Sequence, residues 1–476
     1  MNDSSNAARF QALKYSGGFP DPVVDRFAKF IEAAPEEQLF RMSPLRSARQ
    51  IDIPERAAVD LFLHATHVGI LDFSWGVLCP MCASFLTTAG GLRSLREGRR
   101  CNFCQIDIKC ELDDNIEVAF TVAPSVRRIR FHEPGTLDLS RDGFKLFFSP
   151  SLPAEGVFHG TLHQALAHSG RLVPHQVQEV RIDLAPGRYV LMAPESHGVA
   201  HFTAVADLPP RAFDLDLLDS CWIPDNFQVP AGSVRFLIQN KTKHPRGYLL
   251  FPDPILPPDM RPPDLAKSDL NLQPFLTGKN LICTQAFRDL FRAESIPSEG
   301  GLELKNLTVL FTDLKGSTEL YERIGDLNAY DLVRQHFSTL HQISVHQGGS
   351  VVKTIGDAIM AIFPEPEAGF KAAVDMNREI AQVGGADLQL KIGLHCGSCI
   401  AVELNERLDY FGRTVNIASR VQNLAGAREI ICTEPVFGAA GAVCIIQDAG
   451  LTVREDRVPL RGIAGDTRIY RIRNSR

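Results

Sequence analysis

Apolar residues recur at i, i+3 and i+4 in two early segments, DPVVDRFAKFIEAA and IPERAAVDLFLHATHVGIL, and this spacing predicts helices. Asp21 is the expected N-cap of the first, with Pro22 at its first helical position. Residues 1–75 are therefore expected to form a helical domain, either of winged-helix type or a plain helical adaptor. From about 121 to 255 the pattern changes to short β-like runs, VRRIRFH, FKLFFS, QEVRIDL, GRYVLMA, VAHFTAVA and SVRFLIQN, separated by Pro, Gly and Asp. Such spacing predicts a β-sandwich. Residues 256–303 read as a Pro-rich linker around one helical segment, TQAFRDLFRAE, capped by Thr284 and apolar at Phe287, Leu290 and Phe291. Residues 304–476 alternate strand-like and helical periods and form the last expected domain. The expected fold class is multidomain α+β.

The chain has 476 residues, 45% of them apolar and 22% charged, values typical of a globular protein. A formal net charge of -6 argues against a chain built to coat nucleic acid or an anionic membrane. No apolar run reaches the roughly 18 residues of a membrane span, and the first residues lack a secretory h-region. The expectation is a cytoplasmic protein with no membrane partner and no nucleic-acid partner.

Eleven cysteines is an odd number, and four of them form two Cys-x-x-Cys pairs within residues 76–120. Cys79 and Cys82 are separated from Cys101 and Cys104 by 18 residues. Two such knuckles can complete a closed tetrahedral thiolate site, which predicts structural Zn2+ in a zinc ribbon. Arg93, Arg96, Arg99 and Arg100 between the pairs form either a polyanion-binding patch or a solvated basic face. A redox switch at the thiols is a further reading. Cys110 is read as a packing residue, and Cys396 and Cys399, a pair with no second pair to partner it, as strand and turn residues of the last domain and not a metal site.

Three segments of the last domain carry candidate chemistry. In NLTVLFTDLKGST a β-branched run ends at Asp313 and Leu314, before Gly316, Ser317 and Thr318 open a helical pattern. A strand that delivers a carboxylate beside a helix N-terminus can hold a metal ion and phosphate oxygens together. In VVKTIGDAIMAIF, Gly356 suits the first central position of a type II′ hairpin, whose tip projects Asp357. Two carboxylates with phosphate oxygens and water fit Mg2+ or Mn2+. In LDYFGRTVNIASR, Asn416 and Arg420 lie four apart on a predicted helix and share a face. Each segment taken singly also reads as ordinary structure: a capped turn, a hairpin, a helix-surface pair.

Together these segments resemble the catalytic domain of class III nucleotidyl cyclases over residues 304–476. The resemblance implies a ferredoxin-like α/β fold and ATP as substrate, converted to 3′,5′-cyclic AMP and pyrophosphate. By that likeness Asp313, Leu314 and Asp357 are metal-binding positions for two Mg2+ or Mn2+ ions. Lys353 and Asp409 resemble the pair that selects adenine, Asn416 the residue that orients ribose and Arg420 the transition-state arginine. Gly316, Ser317 and Thr318 are expected at the phosphates. Where the family often has a late Lys-Gly turn, this chain has Arg461 before Gly462, with a different geometry. The likeness also implies a homodimer in which the two carboxylates of one protomer meet the reader residues of its partner.

Two alternatives accompany this reading. One is a zinc-ribbon nucleic-acid-binding regulator whose cyclase-like domain only senses nucleotide. The other is a guanylate cyclase, against which Lys353 and Asp409 argue.

Overall fold

The computed structural model describes the chain apart from residues 1–2, 91–98, 102, 105, 109–114, 154–156, 197, 256–271, 292–301, 317–318, 320–321, 324, 384–387, 405–406, 440, 464 and 475–476. It is a mixed α/β, multidomain chain. Its described residues form two compact units, one up to Leu276 and the other from Thr277 to Arg476. No described helix is long and apolar enough to cross a membrane.

The first unit begins with helices Asp3–Gly17, Asp21–Ala33, Pro44–Ile51 and Glu55–His67. Asp21 is the first helical residue, and Pro20 takes the cap position expected for Asp21. Val24, Phe27 and Ile31 are the buried stripe of the second helix, three and four residues apart as an amphipathic face requires. Strand Leu71–Leu78 lies between strands Phe85–Ala89 and Ile116–Val122 in an antiparallel sheet.

Two of the six expected strands are not strands. FKLFFS belongs largely to helix Leu139–Phe147, where Asp138 accepts a hydrogen bond from the Ser140 N–H at 2.9 Å. Leu139, Asp142, Gly143 and Leu146 are its buried positions, a helical period that overrides the β propensity of the phenylalanines. VRRIRFH ends in a single 3-10 turn, Arg130–His132. Its arginines turn outward to earlier helices: Arg127 donates to the Ile31 carbonyl at 2.7 Å, and Arg130 pairs with Glu36 at 3.3 Å.

QEVRIDL, GRYVLMA, VAHFTAVA and SVRFLIQN do form strands, distributed over a four-stranded and a five-stranded sheet. Val180, Ile182 and Phe236 of one sheet and Leu191, Phe202 and Leu250 of the other belong to one buried cluster. Alternate residues supply it, as the period of two demands.

The second unit starts with two short helices, Gly278–Ile282 and Gln285–Leu290. The Thr284 hydroxyl does not cap the second; it donates back to the Asn280 carbonyl at 3.0 Å. There follow strand Leu302–Leu314, helix Asp326–His346, hairpin strands Ser350–Ile355 and Ala358–Phe363, helix Pro366–Val383 and strand Leu390–Leu404. This is a β-α-β-β-α-β order. Strand Arg407–Phe411 pairs with 390–404, and Glu429–Thr433, Asp466–Asn474 and Leu451–Pro459 extend the sheet beyond it.

Successive residues of the strand Glu429–Thr433 show how the sheet is covered. Ile430 and Cys432 join the cluster of Leu340, Phe370 and Ile380 from the two long helices, whereas Ile431 joins that of Val421, Leu460 and Ile469. Helix Arg413–Asn423 therefore covers the opposite face. A Cβ at Gly393 would lie 2.2 Å from the Gln422 backbone nitrogen, so only glycine lets this helix approach so closely.

Candidate active site

Gly356 and Asp357 form the two-residue loop between Ile355 and Ala358. Gly356 has φ +63°, and Asp357 is not among the residues with positive φ, the combination a type II′ turn requires. One Asp357 oxygen, Oδ2, is buried without a hydrogen-bond partner. A buried, orphaned carboxylate oxygen is costly on its own and suits a cation. Asp313, next to last in the neighbouring strand Leu302–Leu314, is half-buried and forms an ion pair with Lys391, its register partner. An ion bound by Asp313 would compete with that ammonium. Burial pushes the imidazole of His336 down to about 4, against the opposing pull of Asp357.

Lys353 and Asp409, 56 residues apart in sequence, meet across the fold: Lys353 Nζ donates to Asp409 Oδ2 at 2.6 Å. The second oxygen, Oδ1, accepts the Tyr410 N–H at 2.8 Å, so the carboxylate orientation is set by the backbone. Lys353 follows a register shift in its strand, where Val351 faces Ala361 and Lys353 faces Met360. The extra residue, Val352, is a bulge, a device that re-aims the next side chain.

Asn416 and Arg420 share a face of the helix Arg413–Asn423, Asn416 exposed and Arg420 half-buried. A Cβ at Gly462 (φ +71°) would lie 3.5 Å from Arg420 Nη1, so the guanidinium sits over the turn that carries exposed Arg461. Gly316 is exposed with φ +74°, Leu314 is buried, and Ser317 and Thr318 lie outside the described residues. No described hydrogen bond or ion pair joins the Asp313 and Asp357 carboxylates to the Lys353–Asp409 pair or to Arg420.

Sequence reasoning missed Arg288. From helix Gln285–Leu290 it donates to the Leu408 carbonyl at 2.7 Å and to the bulged Val352 carbonyl at 3.4 Å, with its guanidinium 5.8 Å from the Tyr410 ring centre. These acceptors immediately precede Asp409 and Lys353. Gln285 adds a bond from the Val351 N–H at 2.9 Å. The only sequence signal was an arginine on the polar side of a short amphipathic helix.

In the first unit, the sulfurs of Cys79, Cys82, Cys101 and Cys104 all lie within 4.8 Å of one another. Cys82 Sγ and Cys101 Sγ are 3.6 Å apart. A tetrahedral site with bonds of about 2.3 Å needs sulfurs roughly 3.8 Å apart, so the donor set fits a zinc ion. The knuckle at Cys79 is closed by the Ala83 N–H to the Cys79 carbonyl at 2.8 Å, and Ser84 Oγ lies 3.2 Å from Cys82 Sγ. Hydrogen bonds from Cys104, Cys79 and Cys82 hold the Cys101 thiol far below its ordinary range, while burial raises that of Cys82. Cys396 and Cys399 lie buried on strand Leu390–Leu404, and Cys110 lies outside the described residues. Arg93 and Arg96 also lie outside them, and Arg100 pairs with Asp107 at 3.7 Å.

Residues 3–289 match the Family of unknown function (DUF5939), and residues 302–474 match the Adenylate and Guanylate cyclase catalytic domain. Among curated relatives, Adenylate cyclase 2 of Rhizobium meliloti (strain 1021) is 31% identical over 131 residues, 24% of this chain and 36% of its own. The pH-sensitive adenylate cyclase of Mycobacterium tuberculosis (strain CDC 1551 / Oshkosh) is 27% identical over 199 residues, 42% of this chain and 48% of its own. The chain thus spans about a third to a half of the length of these curated relatives. Among solved structures, the adenylyl cyclase CyaB from P. aeruginosa is 25% identical with a TM-score of 0.32, covering 36% of this chain and 95% of that one. The guanylate cyclase domain of RhGC from Catenaria anguillulae, in complex with GTP, is 22% identical with a TM-score of 0.32, covering 37% and 99%.

Proposed function

Because the chain belongs to the Family of unknown function (DUF5939) and carries an adenylate and guanylate cyclase catalytic domain over residues 302–474, we propose that it is an adenylate cyclase. It converts ATP to 3′,5′-cyclic AMP and pyrophosphate as a cytoplasmic homodimer, under control of its N-terminal half. The observation that carries ATP over GTP is the 2.6 Å Lys353–Asp409 pair, with the carboxylate oriented by the Tyr410 N–H on its second oxygen. An ammonium donates to adenine N1, and the carboxylate accepts from the exocyclic amine; guanine presents the reverse pattern on that edge.

In the reaction the ribose 3′-hydroxyl gives up its proton to water, its oxygen attacks the α-phosphorus in line, the bond from the α-phosphorus to the bridging oxygen breaks, and pyrophosphate leaves. Asp313, Leu314 and Asp357 would hold two Mg2+ or Mn2+ ions, which would supply positive charge to the reacting oxygens. Asn416 orients the ribose through its amide. Arg420 brings a permanent positive charge to the phosphoryl group as negative charge accumulates there, and Arg461 beside it serves the distal phosphates with Gly316, Ser317 and Thr318. The carboxylates of one protomer are completed by Lys353, Asp409, Asn416 and Arg420 of the other, so a two-fold dimer holds two equivalent sites.

The four cysteines hold one structural Zn2+, which replaces core that so small a module cannot bury. The purified protein should turn over ATP with Mg2+ or Mn2+ in clear preference to GTP, and zinc quantitation should return one ion per chain. Turnover of GTP alone would instead make it a guanylate cyclase. Nucleic-acid binding without product from either nucleotide would favour the regulator reading.

A further inference from the structure

The first unit contains a cavity of about 540 Å³ that no step above uses. This lies within the roughly 300–1,000 Å³ of small-molecule sites. Its walls come from the turn at Glu37, the segment Arg41–Ser43, helix Pro44–Ile51, the Arg130 turn and helix Leu139–Phe147. Five cations line it, Arg41, Arg46, Arg130, Arg141 and Lys145, against two carboxylates, Glu37 and Asp142.

The carboxylates are already occupied. Arg130 is bonded to Glu37, to Glu36 at 3.3 Å and to Asp142 at 3.1 Å, and Arg141 holds the other Asp142 oxygen at 2.7 Å. Arg46 and Lys145 make no described hydrogen bond or salt bridge. The carboxylate that acts on Arg41 and Arg46 is the buried Glu117, which also accepts the hydroxyls of Ser149 and Ser151 at 2.6 and 2.7 Å. Burial, then the charges of Arg46 and Arg41, push the Lys145 ammonium down to about 8. Burial lowers Arg41 to about 10. Cations gathered so closely repel one another unless an anion joins them.

Two polar atoms on lining residues lack partners, although both lie beneath the cavity surface with almost no accessible area of their own. Arg41 is 8% exposed, and its Nε has none even though Nη1 donates to the Leu146 carbonyl at 2.6 Å. Ser43 is 3% exposed and its hydroxyl has none. Ser43 is also the N-cap of helix Pro44–Ile51 and makes no capping bond; Pro44 has no N–H and the Ser47 N–H donates to the Ser43 carbonyl at 3.0 Å, which leaves the Leu45 and Arg46 N–H groups without a described partner.

We propose that this cavity binds a small phosphorylated molecule, its phosphate held by Arg46 and Lys145 and further attracted by the charge of Arg41. A phosphate monoester brings about −1.5 to −2 charges and three acceptor oxygens, which match this donor set better than the two oxygens of a carboxylate. Phe144, partly exposed in the lining, offers an apolar surface to its organic part. The inference is independent of the cyclase reading.

The test titrates inorganic phosphate into the full-length protein at low ionic strength, with calorimetry and thermal melting as readouts. Phosphate should bind and raise the melting temperature, and Arg46→Gln and Lys145→Met should each weaken it about tenfold, the loss of one charge-assisted contact. Asp313→Ala should retain the full response, which separates this cavity from the candidate active site. Citrate should bind more weakly than phosphate. Without ligand, Lys145→Met should melt about 2–4 °C higher, because a repelled cation has been removed. No phosphate binding, binding equal in all variants, loss in Asp313→Ala alone, tighter binding of citrate, or a lower melting point for Lys145→Met would each overturn the proposal.

Discussion

Replacing Lys353 by Glu together with Asp409 by Cys should reverse the nucleotide preference. Lys353 Nζ and Asp409 Oδ2 are 2.6 Å apart, with side chains 43% and 13% exposed. Lys353 is open to solvent, so the ion pair is screened and worth about 1 kcal/mol to the fold, and the double variant should fold. Toward adenine it loses two charge-assisted hydrogen bonds and sets a carboxylate against the N1 acceptor. At about 1.5 kcal/mol for each bond, the low end for a partly hydrated site, the loss is about 3 kcal/mol. That corresponds to roughly 150-fold in kcat/KM for ATP. The same exchange offers guanine an acceptor for its N1–H, so GTP turnover should rise and the ATP-to-GTP ratio should fall by more than about 100-fold. Steady-state assays with both nucleotides, with product separated by chromatography and melting curves as a folding control, measure that ratio. A folded double variant whose ratio stays within about threefold of the parent protein would refute the assignment of these two residues to base reading.

Three other consequences are open to direct measurement. Asp313→Ala and Arg420→Ala should each lose about 100- to 1000-fold in rate, yet mixed heterodimers should recover part of the activity by pairing one intact half-site from each chain; confirmed heterodimers without recovery would count against shared sites. Arg288→Ala should release the Val352 and Leu408 carbonyls, raising KM for ATP and eroding the ATP-to-GTP ratio more than it lowers kcat, with partial rescue by Arg288→Lys; a loss of kcat at unchanged KM and ratio would contradict a positioning role. His395, pushed down to about 4 by burial and by Arg413, binds its proton more readily unfolded, so the stability it contributes is complete above about pH 6.5 and is lost as pH falls toward 4. The loss is up to about 3 kcal/mol, and the acid limb of a melting-temperature profile should flatten in His395→Gln; an unchanged profile would show that His395 does not titrate there.

Much of the candidate site was legible because its signals are local. The Gly356–Asp357 hairpin follows from one residue type that tolerates positive φ between two β-branched runs. The shared face of Asn416 and Arg420 follows from helical geometry, and the paired thiols from two short knuckles. Where local signals conflicted, the reading failed. FKLFFS carries β propensity in its phenylalanines, but the Asp138 cap and the buried row Leu139, Asp142, Gly143 and Leu146 favoured a helix.

The sequence by itself determined the inventory: which carboxylates, thiols and guanidiniums exist, and which short elements carry them. Only the tertiary structure decided which of them meet. Lys353 faces Asp409 because a bulge at Val352 turns it toward a strand 56 residues away in sequence. Arg288 reaches both strands because its short helix packs beside them. Arg41, Arg46 and Lys145 line one cavity although they come from a turn and two helices. Periodicity and turn chemistry act over a few residues and can be read along the chain. Contacts between distant residues depend on how separate faces find a common core, and no local pattern encodes that pairing.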